Sequence, residues 1–223
     1  MLTKIELLTD ETIQNILDEA LQLLRSTGVK VLAPEARQLL VTAGGEVDES
    51  CEVVRLPEAL AYDALSKAPK KFSLFDRYGE ERVKYGGDDV HFDPGSSGVN
   101  VLDPETGEHR PARTPDLVRL IQVAEGLPQM DAQSTAVVCS DVPEAIGDIY
   151  RLYLVLLTSA KPIVTGAFSS STTELMINML ALAAGGREQL TKKPTAVFDV
   201  CPSPPLTWTE FGAQNLMDLA RAG

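Results

Sequence analysis

From Thr114 onward the chain alternates strand-like and helix-like stretches, and nothing else in the sequence narrows the fold so far. Thr114-Pro115 supplies a cap and a first-turn proline for a helix through about Gly126. Gln133–Cys139, small and β-branched, reads as a buried strand, and Pro143-Glu144 opens a long helix ending near Ala160. Pro162–Thr165 is a second strand, and Ser171-Thr172-Thr173-Glu174 starts a helix that stops at Gly185-Gly186. Ala196–Val200 is a third strand, and Thr209-Glu210 opens a third helix running to Gly223. Strict alternation at roughly 30 residues a unit is the pattern of parallel strands joined by crossover helices. The expected fold class is α/β: over residues 114–223, the first three βα units of a (β/α)8 TIM barrel. A doubly wound sheet is the alternative, but no Gly-x-Gly-x-x-Gly turn follows the first strand.

Three units do not close a barrel, and an open parallel sheet leaves an unpaired edge strand and bare helix faces. The sequence therefore reads as the N-terminal portion of a longer protein. Residues 1–113 read as a separate small α+β module. Thr9 or Asp10 caps a helix to about Thr27, with Ile13, Ile16, Leu17, Leu21 and Leu24 at helical spacing and Gly28 as its stop. Pro34 opens a second helix ending before Gly44-Gly45, and Pro57 a third, ending near Lys67. Val53–Leu56, Phe72–Asp76, Arg82–Tyr85 and Val90-His91-Phe92 read as short strands.

The module ends in the stretch His91–Arg113, HFDPGSSGVNVLDPETGEHRPAR. Proline and glycine in Asp103-Pro104-Glu105-Thr106-Gly107 fit a tight reversal, so Val99–Leu102 and the residues around His109 are expected to pair as a hairpin. The uncharged loop Pro94-Gly95-Ser96-Ser97-Gly98 suits close backbone approach, either to a ligand or to another segment of the chain.

Pro94-Gly95, Asn100-Val101-Leu102-Asp103, Thr106-Gly107-Glu108 and Arg110-Pro111-Ala112 together resemble the trimethylamine methyltransferase family, the corrinoid-dependent methylamine and glycine betaine methyltransferases. The similar order of elements extends from about Gly28 to the end of the chain. The resemblance implies a TIM barrel in a protein about twice this length. It implies transfer of a methyl group from a methylated amine (trimethylamine, glycine betaine or similar) to Co(I) of a corrinoid protein. The corrinoid (cobalamin) is then carried by that partner and not bound tightly here. In trimethylamine methyltransferases proper, the catalytic pyrrolysine lies beyond the matched stretch, and no catalytic residue is transferred.

Charge and cysteine content are compatible with this. Asp and Glu outnumber Lys and Arg 32 to 20, giving a net charge of −12. That argues against nucleic acid, which needs clustered cations, and suits a cationic substrate, although plain solubility explains it as well. Cys51, Cys139 and Cys201 are an odd, scattered set without a Cys-x-x-Cys pair, so neither a zinc knuckle nor a disulfide framework is expected. No signal sequence and no membrane-length apolar run is visible, so a reducing cytoplasm is the expected compartment. An exposed sheet edge and helix faces point to a homo-oligomer.

Barrels place chemistry at the C-terminal ends of their strands. Here those ends hold Cys139-Ser140-Asp141, Thr165–Ser169 and Cys201–Pro205, followed by Trp208 and Glu210. The set is poor in acid–base groups, which suits methyl transfer from a quaternary amine, where the leaving amine departs neutral. What such a reaction needs is a desolvated cage that aligns the methyl carbon. Phe168 and Trp208 offer aromatic faces to an ammonium, and Asp141 or Glu210 a counter-charge. Ser169 begins a hydroxyl run at a helix N-terminus that suits a carboxylate, and Ser203 lies in the last strand-end loop. Each residue has a structural alternative. Phe168 and Trp208 serve equally as packing, Asp141 and Ser169 as helix caps, and Glu210 as a partner of the helix dipole. Cys139 and Cys201 offer thiolates or simply small buried side chains. His91 and His109 have no partner cluster for a metal.

Overall fold

The computed structural model describes residues 5–223. It is a mixed α/β fold with eight α-helices and several small sheets among the described residues, none of them closed into a barrel. In chain order the elements begin with α1 (Asp10–Ser26), β1 (Val29–Val31), α2 (Pro34–Thr42), β2 (Glu46–Asp48), β3 (Val53–Arg55) and α3 (Glu58–Lys67). Next come β4 (Phe72–Phe75), β5 (Glu81–Tyr85), β6 (Asn100–Leu102), β7 (His109–Pro111), α4 (Thr114–Gly126) and β8 (Gln133–Ser134). A 3-10 turn at Glu144–Ile146 leads into α5 (Gly147–Thr158), followed by β9 (Ile163–Thr165), α6 (Ser170–Ala184), α7 (Arg187–Lys192), β10 (Ala196–Phe198), β11 (Thr207–Trp208) and α8 (Glu210–Ala222). These form two compact units, one from residues up to Ala68 with Cys201–Gln214, the other from Pro69–Val200 with Asn215–Gly223.

The first unit is a four-stranded sheet in the order β11-β1-β3-β2 with helices around it. β3 pairs antiparallel with β1 and β2, and β11 lies parallel to β1, with Val31 opposite Trp208. Val29, Val31 and Val54 are its buried centre, joined by Leu24, Leu40, Val47 and Trp208. Burial on this scale is worth roughly 2 kcal/mol per valine. Thr9 caps α1, its hydroxyl accepting from the Thr12 amide at 3.2 Å, and Gly28 closes it with an N–H donated to the Leu23 carbonyl at 2.9 Å. Glycine is required there: its φ is +76°, and a Cβ would stand 2.6 Å from the Val54 carbonyl oxygen.

The second unit is built on a three-stranded parallel sheet, β10-β9-β8, whose connections carry α5 and then α6 with α7. Ile163 stands opposite Gln133 and Ala196, and Thr165 opposite Phe198. Leu117, Ile121, Leu152, Val155, Met176 and Leu180 belong to one core with Ile163. Val164 belongs to a second, with Leu74 and Val83 of the β4–β5 hairpin and Ala132. Alternation along β9 thus gives its neighbouring residues to two different cores.

The expected β6–β7 hairpin forms, with Leu102 opposite His109. Its turn is held by Asp103, whose carboxylate accepts the Glu105 and Thr106 amides. The glycine–serine loop approaches another chain segment: Gly98 donates to the Ala136 carbonyl at 2.9 Å and its own carbonyl accepts from Val138 at 2.7 Å. A Cβ at Gly98 would meet Ala136 and Val137 at 3.3 Å. This explains why the expected Gln133–Cys139 strand is regular only at Gln133–Ser134: beyond there its backbone bonds to the loop, through a single parallel bridge between Gly98 and Val137.

Other expectations are corrected. Val90-His91-Phe92 is not a strand. The Phe92 carbonyl accepts from the Asp131 and Ala132 amides, and the His91 ring bridges the Asp131 carboxylate at 3.0 Å and the Lys84 backbone. The long helix expected from Pro143 begins at Gly147, after the 3-10 turn. The short strands β1, β2 and β11 and the helix α7 were not expected.

Candidate functional site at the C-terminal edge of the parallel sheet

Two charged residues of α5, Asp148 and Arg151, are 1% and 0% exposed. Helical spacing of three turns both toward the C-terminal ends of β8 and β9. Asp148 organises the loop after β9: its carboxylate accepts the Phe168 amide at 2.7 Å and the Thr172 hydroxyl, and it also accepts the Ile149 amide at 2.8 Å. Arg151 donates from Nη1 to the Thr135 carbonyl at 2.8 Å, and its guanidinium carbon lies 4.3 Å from the centre of the Phe168 ring. Its Nε and Nη2 have no hydrogen-bond partner among the described residues. Burial pushes Arg151 down to about 10, against the opposing effect of the Asp148 carboxylate, so it is still a cation at neutral pH. Behind it the Thr135 and Thr165 hydroxyls meet at 3.1 Å.

Of the residues singled out from sequence, Phe168 and Ser169 come together at this edge. Phe168 is 42% exposed and covers Arg151. Ser169 is the N-cap residue of α6, its hydroxyl bonded to those of Ser171 and Thr172. Asp141 is exposed and accepts the Thr114 amide at the start of α4, 2.9 Å away. The other three belong to the first unit. Trp208 packs on Val29, Val31 and Val54. Ser203 pairs with Thr207 across the Pro204-Pro205 turn, and Glu210 is exposed in the first turn of α8. Cys139 is buried and free, its thiol pushed up by that burial and so kept protonated, whereas Cys51 and Cys201 are exposed.

Sequence reasoning missed Asp148 and Arg151. The available signal was that they are the only charges between Gly147 and Ala160, in a stretch otherwise almost wholly apolar. It also passed over Asp199, which follows β10 and donates its amide to the Thr165 carbonyl at 2.8 Å. Although Asp199 presents surface to solvent, the protein around it desolvates its carboxyl and Asp93 repels it, and both effects raise its pKa. Asp93 and Asp199, with Asp131, also push the half-buried Tyr85 phenol up, after burial itself. This is a negative field that a cation would relieve. No group of three His, Cys, Asp or Glu residues among the described residues is placed to hold a metal ion.

These features sit on a chain whose relatives are enzymes of one kind. The chain is 27% identical over 215 residues to a trimethylamine methyltransferase MttB of Desulfitobacterium hafniense, which covers 96% of this chain and 43% of that protein. Against the trimethylamine methyltransferase MttB of Methanosarcina thermophila it is 26% identical over 225 residues, 99% of this chain and 47% of the other. A glycine betaine methyltransferase of Desulfitobacterium hafniense strain Y51 is 25% identical over 224 residues, all of this chain and 46% of that protein. The chain thus spans less than half the length of these curated relatives. The sequence model of the trimethylamine methyltransferase family matches residues 1–223 throughout, and the chain belongs to that family of methyltransferases.

Proposed function

We propose that this chain is the N-terminal portion of a methyltransferase that moves a methyl group from a methylated amine, such as trimethylamine or glycine betaine, to the corrinoid of a partner protein. Family membership over the whole chain carries this reading. The partner's corrinoid would supply a Co(I) nucleophile for the methyl group; the C–N electron pair would stay with nitrogen, so a quaternary ammonium would leave as a neutral tertiary amine. On this reading residues 114–223 are the first three units of a TIM barrel and residues 1–113 an appended module, in a cytoplasmic protein. The parallel order β8, β9, β10 with crossover helices supports that. Self-association is part of the reading, supported by the exposed apolar face of α1 at Ile13, Ile16 and Leu17.

The chain's own contribution is binding and orientation. Asp93 and Asp199 attract the ammonium, Phe168 excludes water over the C-terminal edge, and Asp148 fixes the loop that carries Phe168. Ser169, beyond the end of β9, and Asp141, well past β8 and bonded to the start of α4, are further contacts in this reading. Ser203, Trp208 and Glu210 complete the proposed set, although Trp208 is already occupied in packing.

The test is to mix the whole protein, with the rest of the barrel that this reading requires, with each amine and cob(I)alamin, and to follow loss of the Co(I) absorbance. Amine-dependent methylcobalamin, reduced by Asp199→Asn, is the expected result. Saturable amine binding without turnover would favour a second reading, a non-catalytic substrate- or partner-binding member. Neither binding nor turnover by the folded protein would remove the amine site from it.

A further inference from the structure

Arg151 has a half-used guanidinium. Nη1 is tied to the Thr135 carbonyl, and one face of the group is covered by the Phe168 ring. The two nitrogens that remain, Nε and Nη2, are buried and without a partner among the described residues. They are the adjacent pair on one edge of the guanidinium plane, whose parallel N–H bonds match the two oxygens of a carboxylate. Buried donors are nearly always satisfied, and a buried charge with a free fork is costly to keep. Asp148, the nearest acid on the same helix, spends its own oxygens on the Phe168 amide, the Ile149 amide and the Thr172 hydroxyl.

We propose that the Nε–Nη2 edge of Arg151 is a receptor for the carboxylate of a small ligand, which reaches it when the Phe168 side chain swings aside. Phe168 is the movable part of the cover, being 42% exposed and anchored through its amide, so the ring turns without breaking the bond to Asp148. Phe168 thus shields the guanidinium when the ligand is absent and closes over its carboxylate when it is present. The proposal deepens the methyl-transfer reading by requiring a carboxylate on the amine substrate. It rests on that reading only for the amine half of the ligand.

The test uses the chain itself and the Nε–H resonance of Arg151 in a nitrogen–proton correlation spectrum, assigned by its loss in Arg151→Lys. The probes are acetate, glycine betaine and choline, which carry a carboxylate alone, a carboxylate with an ammonium, and an ammonium alone. Acetate and glycine betaine are expected to move the resonance saturably, and choline to leave it in place. By calorimetric titration Arg151→Lys, which keeps the charge and loses the fork, is expected to weaken glycine betaine by roughly tenfold or more. Phe168→Ala is expected to retain the shift. Should choline bind as tightly as glycine betaine while the resonance stays still, the amine reading survives and the carboxylate receptor falls. If acetate moves the resonance and no amine binds, the receptor stands and the amine reading loses its support in this chain. A resonance that neither carboxylate moves overturns the proposal outright.

Discussion

Arg110 and Arg151 sit in the same unit and are used in opposite ways. Arg110 lies at the surface with both ends of its guanidinium occupied. Nε donates to Asp103 at 2.7 Å, and Nη1 and Nη2 grip Asp116 at 2.7 and 2.9 Å. Its partners hold it above the ordinary arginine value. Arg151 is fully buried, holds one carbonyl and one ring, and is depressed by the loss of water. A satisfied arginine beside water staples a hairpin to the start of a helix. An arginine buried with a free edge does nothing comparable for the fold, and its cost calls for another use.

Asp148→Ala gives the largest effect. It strips the acceptor from the Phe168 amide and the Thr172 hydroxyl and leaves Arg151 without its nearby negative charge. Urea unfolding is expected to show a loss of about 3 kcal/mol; a loss near zero would mean the loop after β9 is held by other contacts. Arg110→Ala is expected to lower the melting temperature by less, and added salt to shrink the difference, because this pair is screened by solvent. A salt-insensitive loss would break the contrast. Acid titration sharpens it further. The hydrogen bond from Arg110 first, and then two backbone amides, hold Asp103 at about 2 in the folded chain, below the ordinary 3.9 of an unfolded aspartate. Its contribution is therefore complete above that value and lost as pH falls toward 2. Wild type and Arg110→Ala should diverge above pH 4 and converge below it, as followed by circular dichroism. The smallest effect belongs to Arg151→Met, which keeps bulk and removes the buried charge. Stability is expected within about 1 kcal/mol of wild type, or higher, in equilibrium melts. A large loss would make Arg151 a structural residue after all.

The parts of the chain legible in its sequence are those whose signals are local. Pro104 and Gly107 declare the β6–β7 turn, Thr9 and Gly28 the ends of α1, and the strand–helix rhythm after Thr114 the crossover connections. The glycine–serine loop declared a close approach but not its partner, since nothing local says that Gly98 bonds to Ala136. β1 and β11 were missed for a related reason. Three-residue and two-residue strands have too little periodicity to register, and Trp208 finds its place opposite Val31, almost the whole chain away. In the candidate site, Phe168 and Ser169 were found because strand ends in such sheets are readable from order alone. Asp148 and Arg151 were missed because charges three apart on a helix look like an ordinary solvent-facing pair; only the apolar company of α5 distinguishes them.

The pairing of β1 with β11 has a consequence in time. A ribosome makes Val31 well before Trp208, and the whole of Pro69–Val200 is translated between them. β1 can pair with β3 as soon as Val54 emerges, but its other edge has no strand to accept until Trp208 has left the exit tunnel. The nascent chain therefore carries an open β-edge for as long as Pro69–Val200 is being made, the kind of surface that recruits neighbouring chains. Nascent chains arrested before Trp208 should be cleaved in the β1 region by added protease far faster than chains released after it.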